Sequence, residues 1–169
     1  MHGMAVDTFV AMLVSLAGCL DKGMAHAKSQ HLDLASARLA PDMYTLAQQV
    51  QLACHYAIDA VARLTGTPPP PMPDTEPSLP RMKEQIERTL DQLRRVPASS
   101  FENAERRDCS IPLGDGGAIV MNGEQFLRAW SLPHFYFHVV TAYGILRHNG
   151  VPLGKHDYQS QVRAFIQPS

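Results

Sequence analysis

The stretch LPHFYFHVVTAYGILRHNGVPLGK, residues 132–155, decides the fold of this chain. Pro133 suits the first turn of a helix, where its missing N–H costs nothing. Asn149-Gly150 makes a C-terminal stop, and Pro152 blocks continuation. The spacing therefore predicts a helix over about Pro133–His148. It is aromatic at its start through Phe135, Tyr136 and Phe137, and it carries His134 and His138 one turn apart. That pair can hold a metal or form part of a packed core.

Working outward, three further helices complete a bundle. Phe9, Leu13, Leu16, Leu20, Gly23/Met24 and Ala27 repeat at steps of three and four, predicting a helix over about Val6–Lys28 with one buried stripe. Leu39, Met43, Leu46, Val50, Ala53, Ala57, Ala60 and Leu64 follow a near-heptad pattern and predict a second helix over about Arg38–Leu64. On that reading Pro41 sits in the first turn and Gly66 ends the helix. The run Thr67–Pro80 holds four consecutive prolines, Pro68 to Pro71, and reads as a stiff linker. A third helix follows over about Leu79–Val96, with Leu79, Met82, Ile86, Leu90 and Leu93 as its stripe and Ser78 or Asp74 as its cap.

Between Phe101 and Trp130 the pattern changes. Cys109–Leu113 and Ala118–Met121 lean toward strand, and Gly114-Asp115-Gly116-Gly117 joins them as a hairpin turn. The glycines do not make a phosphate loop, since no Lys-Ser/Thr follows. Gln125–Trp130 reads as a short helical lead into the last helix, and the tail from Leu153 as a short helix or arm. The fold class is an all-α, up-down four-helix bundle with a small β-hairpin inserted before the last helix.

Bulk properties narrow the function classes. The 169 residues suit a single domain with an ordinary core. A net charge of −1 without basic runs gives no electrostatic footprint for nucleic acid. The apolar N-terminus lacks a basic leader and contains Asp7, so it reads as a core helix, and no segment reads as a membrane span. The expected compartment is cytoplasmic. Cys19, Cys54 and Cys109 are far apart and form no C-x-x-C; Cys19 and Cys54 read as small buried hydrophobes.

The histidines carry the remaining chemistry. Imidazoles four apart project from one helix face and can chelate one ion, given a third ligand. His148 is fourteen residues from His134, roughly 21 Å along the axis, and cannot share that ion. His55 on helix two is the mid-bundle alternative. Counting about 100° per residue from Leu39 turns it roughly 160° from the heptad stripe, although Leu52 and Tyr56 point to a second buried side. The other reading makes His138 a core or pocket histidine held by hydrogen bonds. Arg38, Asp42 and Tyr44 near the start of helix two, with Tyr143 and Arg147 on the last helix, can line a polar pocket near His138 or serve as caps and ion pairs.

The stretches Arg38-Leu-Ala-Pro-Asp-Met-Tyr, Gln49-Val-Gln, Ala62-Arg-Leu-Thr-Gly and Phe135 through Lys155 resemble a bacterial domain-of-unknown-function family grouped with the DinB-like and YfiT-like metalloenzymes. The resemblance covers nearly the whole chain. It implies a DinB-like bundle, a homodimer, and a divalent metal such as Zn or Ni held by one histidine of helix two and H-x-x-x-H of the last helix. On this chain those positions fall on His55, His134 and His138, of which His138 matches the family firmly. The two expectations are a metal-dependent enzyme of unknown substrate and a non-catalytic homodimeric module that binds a small molecule or protein without metal.

Overall fold

Helix α1 (Thr8–Gln30) follows a π-helical turn at Gly3–Asp7 and buries the expected stripe: Phe9, Leu13, Leu16, Leu20, Gly23 and Ala27. The chain is described here by a computed structural model covering residues 1–72 and 77–167. The run Gly3–Gln30 has an 18-residue window of mean hydropathy 1.8, long and apolar enough by composition to cross a membrane. This corrects the reading that no segment is. Half of that window is buried, and Phe9, Met12, Leu13, Leu16 and Leu20 lie in the core, as in a core helix.

Helix α2 (Leu46–Thr65) starts eight residues later than the periodicity suggested. The reason is a capping box. Thr45 Oγ1 accepts from the Gln48 backbone N–H, and Gln48 Oε1 accepts from the Thr45 N–H at 2.9 Å. Pro41 lies in the irregular segment before it and disfavours helical backbone at Ala40. Leu39, counted on the stripe, is 43% exposed, whereas Leu46, Val50, Ala53, Ala57, Ala60 and Leu64 are fully buried. At the far end Gly66 takes φ +75°, and Thr67 N–H bonds the Ala62 carbonyl at 2.8 Å, closing a Schellman motif.

Helix α3 (Leu79–Arg94) is capped by Ser78, whose hydroxyl accepts from the Arg81 N–H. Asp74, the alternative cap, lies outside the described residues. Its inner stripe of Met82, Ile86, Leu90 and Leu93 packs against α1 and α2. Strands β1 (Asp108–Pro112) and β2 (Ala118–Asn122) pair antiparallel, with Asp108 opposite Asn122 and Pro112 opposite Ala118. The hairpin is tied to the end of α2: Arg63 grips Asp59 through Nε and donates from Nη1 to the Ser110 carbonyl at 2.6 Å, while Arg107 donates to the Leu64 carbonyl.

The last helix begins earlier than its proline. Asn122 and Gln125 form a second capping box, a helical turn covers Gly123–Gln125, and a π-helical segment Phe126–Ser131 runs without a break into α4 (Leu132–His148). Gly123 is obligatory here, since a Cβ would stand 1.9 Å from the Ala104 carbonyl oxygen. The expected stop is present: Gly150 at φ +84°, with Val151 N–H on the Leu146 carbonyl and the Asn149 side chain on that of Ile145. A short helix α5 (Lys155–Tyr158) and a 3₁₀ turn, Ser160–Phe165, lay the tail on α1 through Lys22–Asp157 and Ser15–Ser160 contacts. The result is the up-down bundle with its inserted hairpin, in which α2 packs most extensively against α4. Cys19, Cys54 and Cys109 are all free and buried.

Candidate functional site

The α2–α4 seam carries the polar groups of interest. His138 faces α2 and is 6% exposed. Its Nδ1 lies 2.7 Å from Oε1 of Gln49, itself 1% exposed. The other end of the Gln49 amide, Nε2, donates to the Tyr44 carbonyl at 3.4 Å. A carbonyl can only accept, so the amide cannot be flipped, and Oε1 must face the imidazole. Nδ1 of His138 therefore carries the proton and Nε2 carries the lone pair. Burial, followed by the neighbouring His134, pushes the His138 pKa down to about 4. The ring is thus neutral at pH 7.

His134, one turn earlier, is held the same way. Its Nδ1 lies 2.7 Å from the Trp130 carbonyl, which makes Nδ1 the donor. The Trp130 ring packs on His134 at 4.3 Å between centroids. From α2, Tyr56 stacks on both imidazoles, at 5.0 Å and 27° to His134 and 5.4 Å and 16° to His138. Burial, then the Asp59 carboxylate, pushes the Tyr56 phenol pKa up, so the ring is neutral as well.

Helical geometry explains why α2 contributes Tyr56 here. Tyr56 is seven residues past Gln49, two turns along nearly the same stripe, whereas His55 is turned about 100° from it. His55 is half-buried and meets the edge of Tyr56 at 6.1 Å. Among the described residues, no three His, Cys, Asp or Glu side chains are grouped to hold a metal ion. The triad of His55, His134 and His138 that the resemblance implied therefore does not fit a three-ligand metal site. The pair's Nδ1–H bonds do resemble those that orient metal-binding histidines, but among the described residues no third His, Cys, Asp or Glu ligand is grouped with them.

The polar-pocket residues are dispersed. Arg38, Asp42, Tyr44 and Arg147 are exposed; Arg38 donates to the Pro41 carbonyl, and Tyr143 packs edge-on against Tyr158. Among the described residues, no hydrogen bond or ion pair joins Arg38, Asp42, Tyr143 or Arg147 to one another or to His138. Tyr44 contributes through its backbone, as the anchor of Gln49. Gln49, Tyr56 and Trp130 are the site members that motif reading passed over. The seven-residue spacing of Gln49 and Tyr56 was the available signal.

This seam belongs to a fold already seen in a crystal. The profile of a family described as "Domain of unknown function (DUF1993)" matches residues 1–159. The chain belongs to the DUF1993 family. This DUF1993 member is also similar to a crystal structure of a DinB family member protein from Shewanella denitrificans, at 37% identity and a TM-score of 0.85. The likeness covers 94% of this chain and 90% of that one. No functionally curated protein matches the chain.

Proposed function

We propose that this DUF1993 protein is a cytoplasmic, homodimeric module that binds a small molecule at the α2–α4 seam without a resident metal. The observation that carries the reading is the Gln49–His138 bond beneath the Tyr56 stack. Gln49 fixes one imidazole, Trp130 fixes the other, and Tyr56 covers the α2 side from which a third ligand would come. The bare Nε2 of His138 is left as a hydrogen-bond acceptor among aromatic rings, an apolar lining with few oriented polar groups. The homodimer is supported by the outer stripe of α4. Phe137 is 55% and Val140 49% exposed, on a helix whose inner face is already apolar.

Metal analysis of protein purified without a histidine tag tests the proposal. Less than about one tenth equivalent of any transition metal is expected, with a melting temperature that Zn²⁺ or Ni²⁺ leaves unchanged. An ion held at a thousandth of the added concentration would stabilise the fold by about 4 kcal/mol, a shift of many degrees. Such a shift, or stoichiometric metal, would restore the metal-dependent reading.

A further inference from the structure

Helix α2 carries a second apolar face on the side away from the seam. Ile58, Val61, Ala62 and Thr65 share one side of the helix, roughly 180° round from Gln49 and Tyr56. Leu93 and Val96 from the end of α3 meet that face, and Pro68 and Pro70 of the linker form a further wall. Consecutive prolines hold extended backbone, so this wall does not collapse onto α2. The result is an open groove of about 540 Å³, within the roughly 300–1,000 Å³ of small-molecule sites. Its polar groups fall into two sets. The Thr65 hydroxyl donates to the Val61 carbonyl at 2.8 Å and that of Thr67 to the Ala62 carbonyl at 3.3 Å, so both are spent on the end of α2. Gln92, Arg95 and Ser100 differ: their side chains have no hydrogen bond or ion pair among the described residues. All three can donate. Arg95 is the one charged side chain among the described residues that line the groove.

We propose that this groove binds a medium-chain monocarboxylate, its head on Arg95 and its alkyl chain along Ile58, Val61, Leu93 and Val96. Charge complementarity selects the head. A cation without a partner and two further donors suit an anion that only accepts, and no carboxylate of the lining competes for them. Arg95 is exposed, so the ion pair contributes modestly and the buried chain supplies most of the affinity. Chain length follows from the helix. Ile58 and Thr65 are seven residues apart, about 10 Å along the axis. An extended alkyl chain advances roughly 1.3 Å per carbon, so about eight carbons span that wall. The groove is independent of the α2–α4 seam, and the proposal does not rest on the reading of that seam.

The test titrates the ¹⁵N-labelled full chain with butanoate, hexanoate, octanoate, dodecanoate, n-octanol and n-octylammonium, following the backbone amide resonances. Octanoate should saturate below about 1 mM and shift amides of residues 58–65 and 92–100, leaving those of Gln49 and His138 in place. Affinity should rise about two- to fourfold per methylene from butanoate to octanoate and level off beyond about ten carbons, where the wall ends. Octanol and octylammonium should bind at least about threefold more weakly than octanoate. Arg95→Gln should weaken octanoate about three- to tenfold and leave octanol and the melting temperature unchanged. Arg94→Gln, one residue away and outside the lining, should change neither ligand. Octanol or octylammonium binding as tightly as octanoate, an Arg95→Gln variant that binds octanoate like wild type, or no saturation by octanoate would overturn the proposal. Shifts confined to Gln49, Tyr56 and His138 would overturn it too, while supporting a small-molecule site at the seam.

Discussion

Acidification should destabilise this protein chiefly through His138. In the folded chain its pKa is about 4, while an unfolded chain gives histidine its ordinary value near 6.5. Above pH 6.5 both states are neutral and the group has no effect. Between those values the unfolded chain takes up a proton that the folded chain refuses, so stability falls as pH falls. The slope approaches about 1.4 kcal/mol per pH unit and the total is roughly 3 kcal/mol by pH 4, less to the extent that water reaches the ring. Below pH 4 both states are protonated and the loss stops growing. Asp33 and Asp157, whose carboxyls Ser36 and Lys22 hold below the usual value, act at lower pH and do so in any comparison variant. The assay is urea unfolding at several values between about pH 7.5 and pH 4.5, for the wild type and for His138→Gln. The wild-type stability should fall by roughly 2–3 kcal/mol more than the variant's. Parallel curves for the two proteins would refute the assignment of a neutral, desolvated imidazole at the seam.

Two substitutions probe how the fold positions that seam. Gly123→Ala should cost several kcal/mol or prevent folding, because its Cβ would lie 1.9 Å from the Ala104 carbonyl oxygen; a melting temperature within a degree or two of wild type would contradict the close approach. Thr45→Ala should cost about 1 kcal/mol in urea unfolding by removing one half of the α2 capping box, and no loss would mean that the helix starts elsewhere.

Much of this architecture was legible because apolar spacing records it directly. The stripe of α1, that of α3 apart from the half-buried Leu79, and the inner residues of α2 from Leu46 onward are buried as their periodicity requires. The start of α2 was not legible from that spacing, because Leu39 and Met43 continue the heptad by coincidence. The deciding signal is local, Thr45-x-x-Gln48, and the same signal at Asn122-x-x-Gln125 starts the last helix ahead of Pro133. Counting from Leu39 also set the angular origin for His55 on residues that are not helical. Gln49 was the hardest member to find. Its partner is 89 residues away, and only the register between α2 and α4 brings the two side chains together.

The most direct measurement is long-range ¹⁵N–¹H correlation of the His138 imidazole at neutral pH. Protonated Nδ1 with a bare Nε2, together with loss of that preference in Gln49→Leu, is the result this account predicts. A protonated Nε2, a freely exchanging pair of tautomers, or an Nε2 bound to a metal in the protein as purified would contradict it.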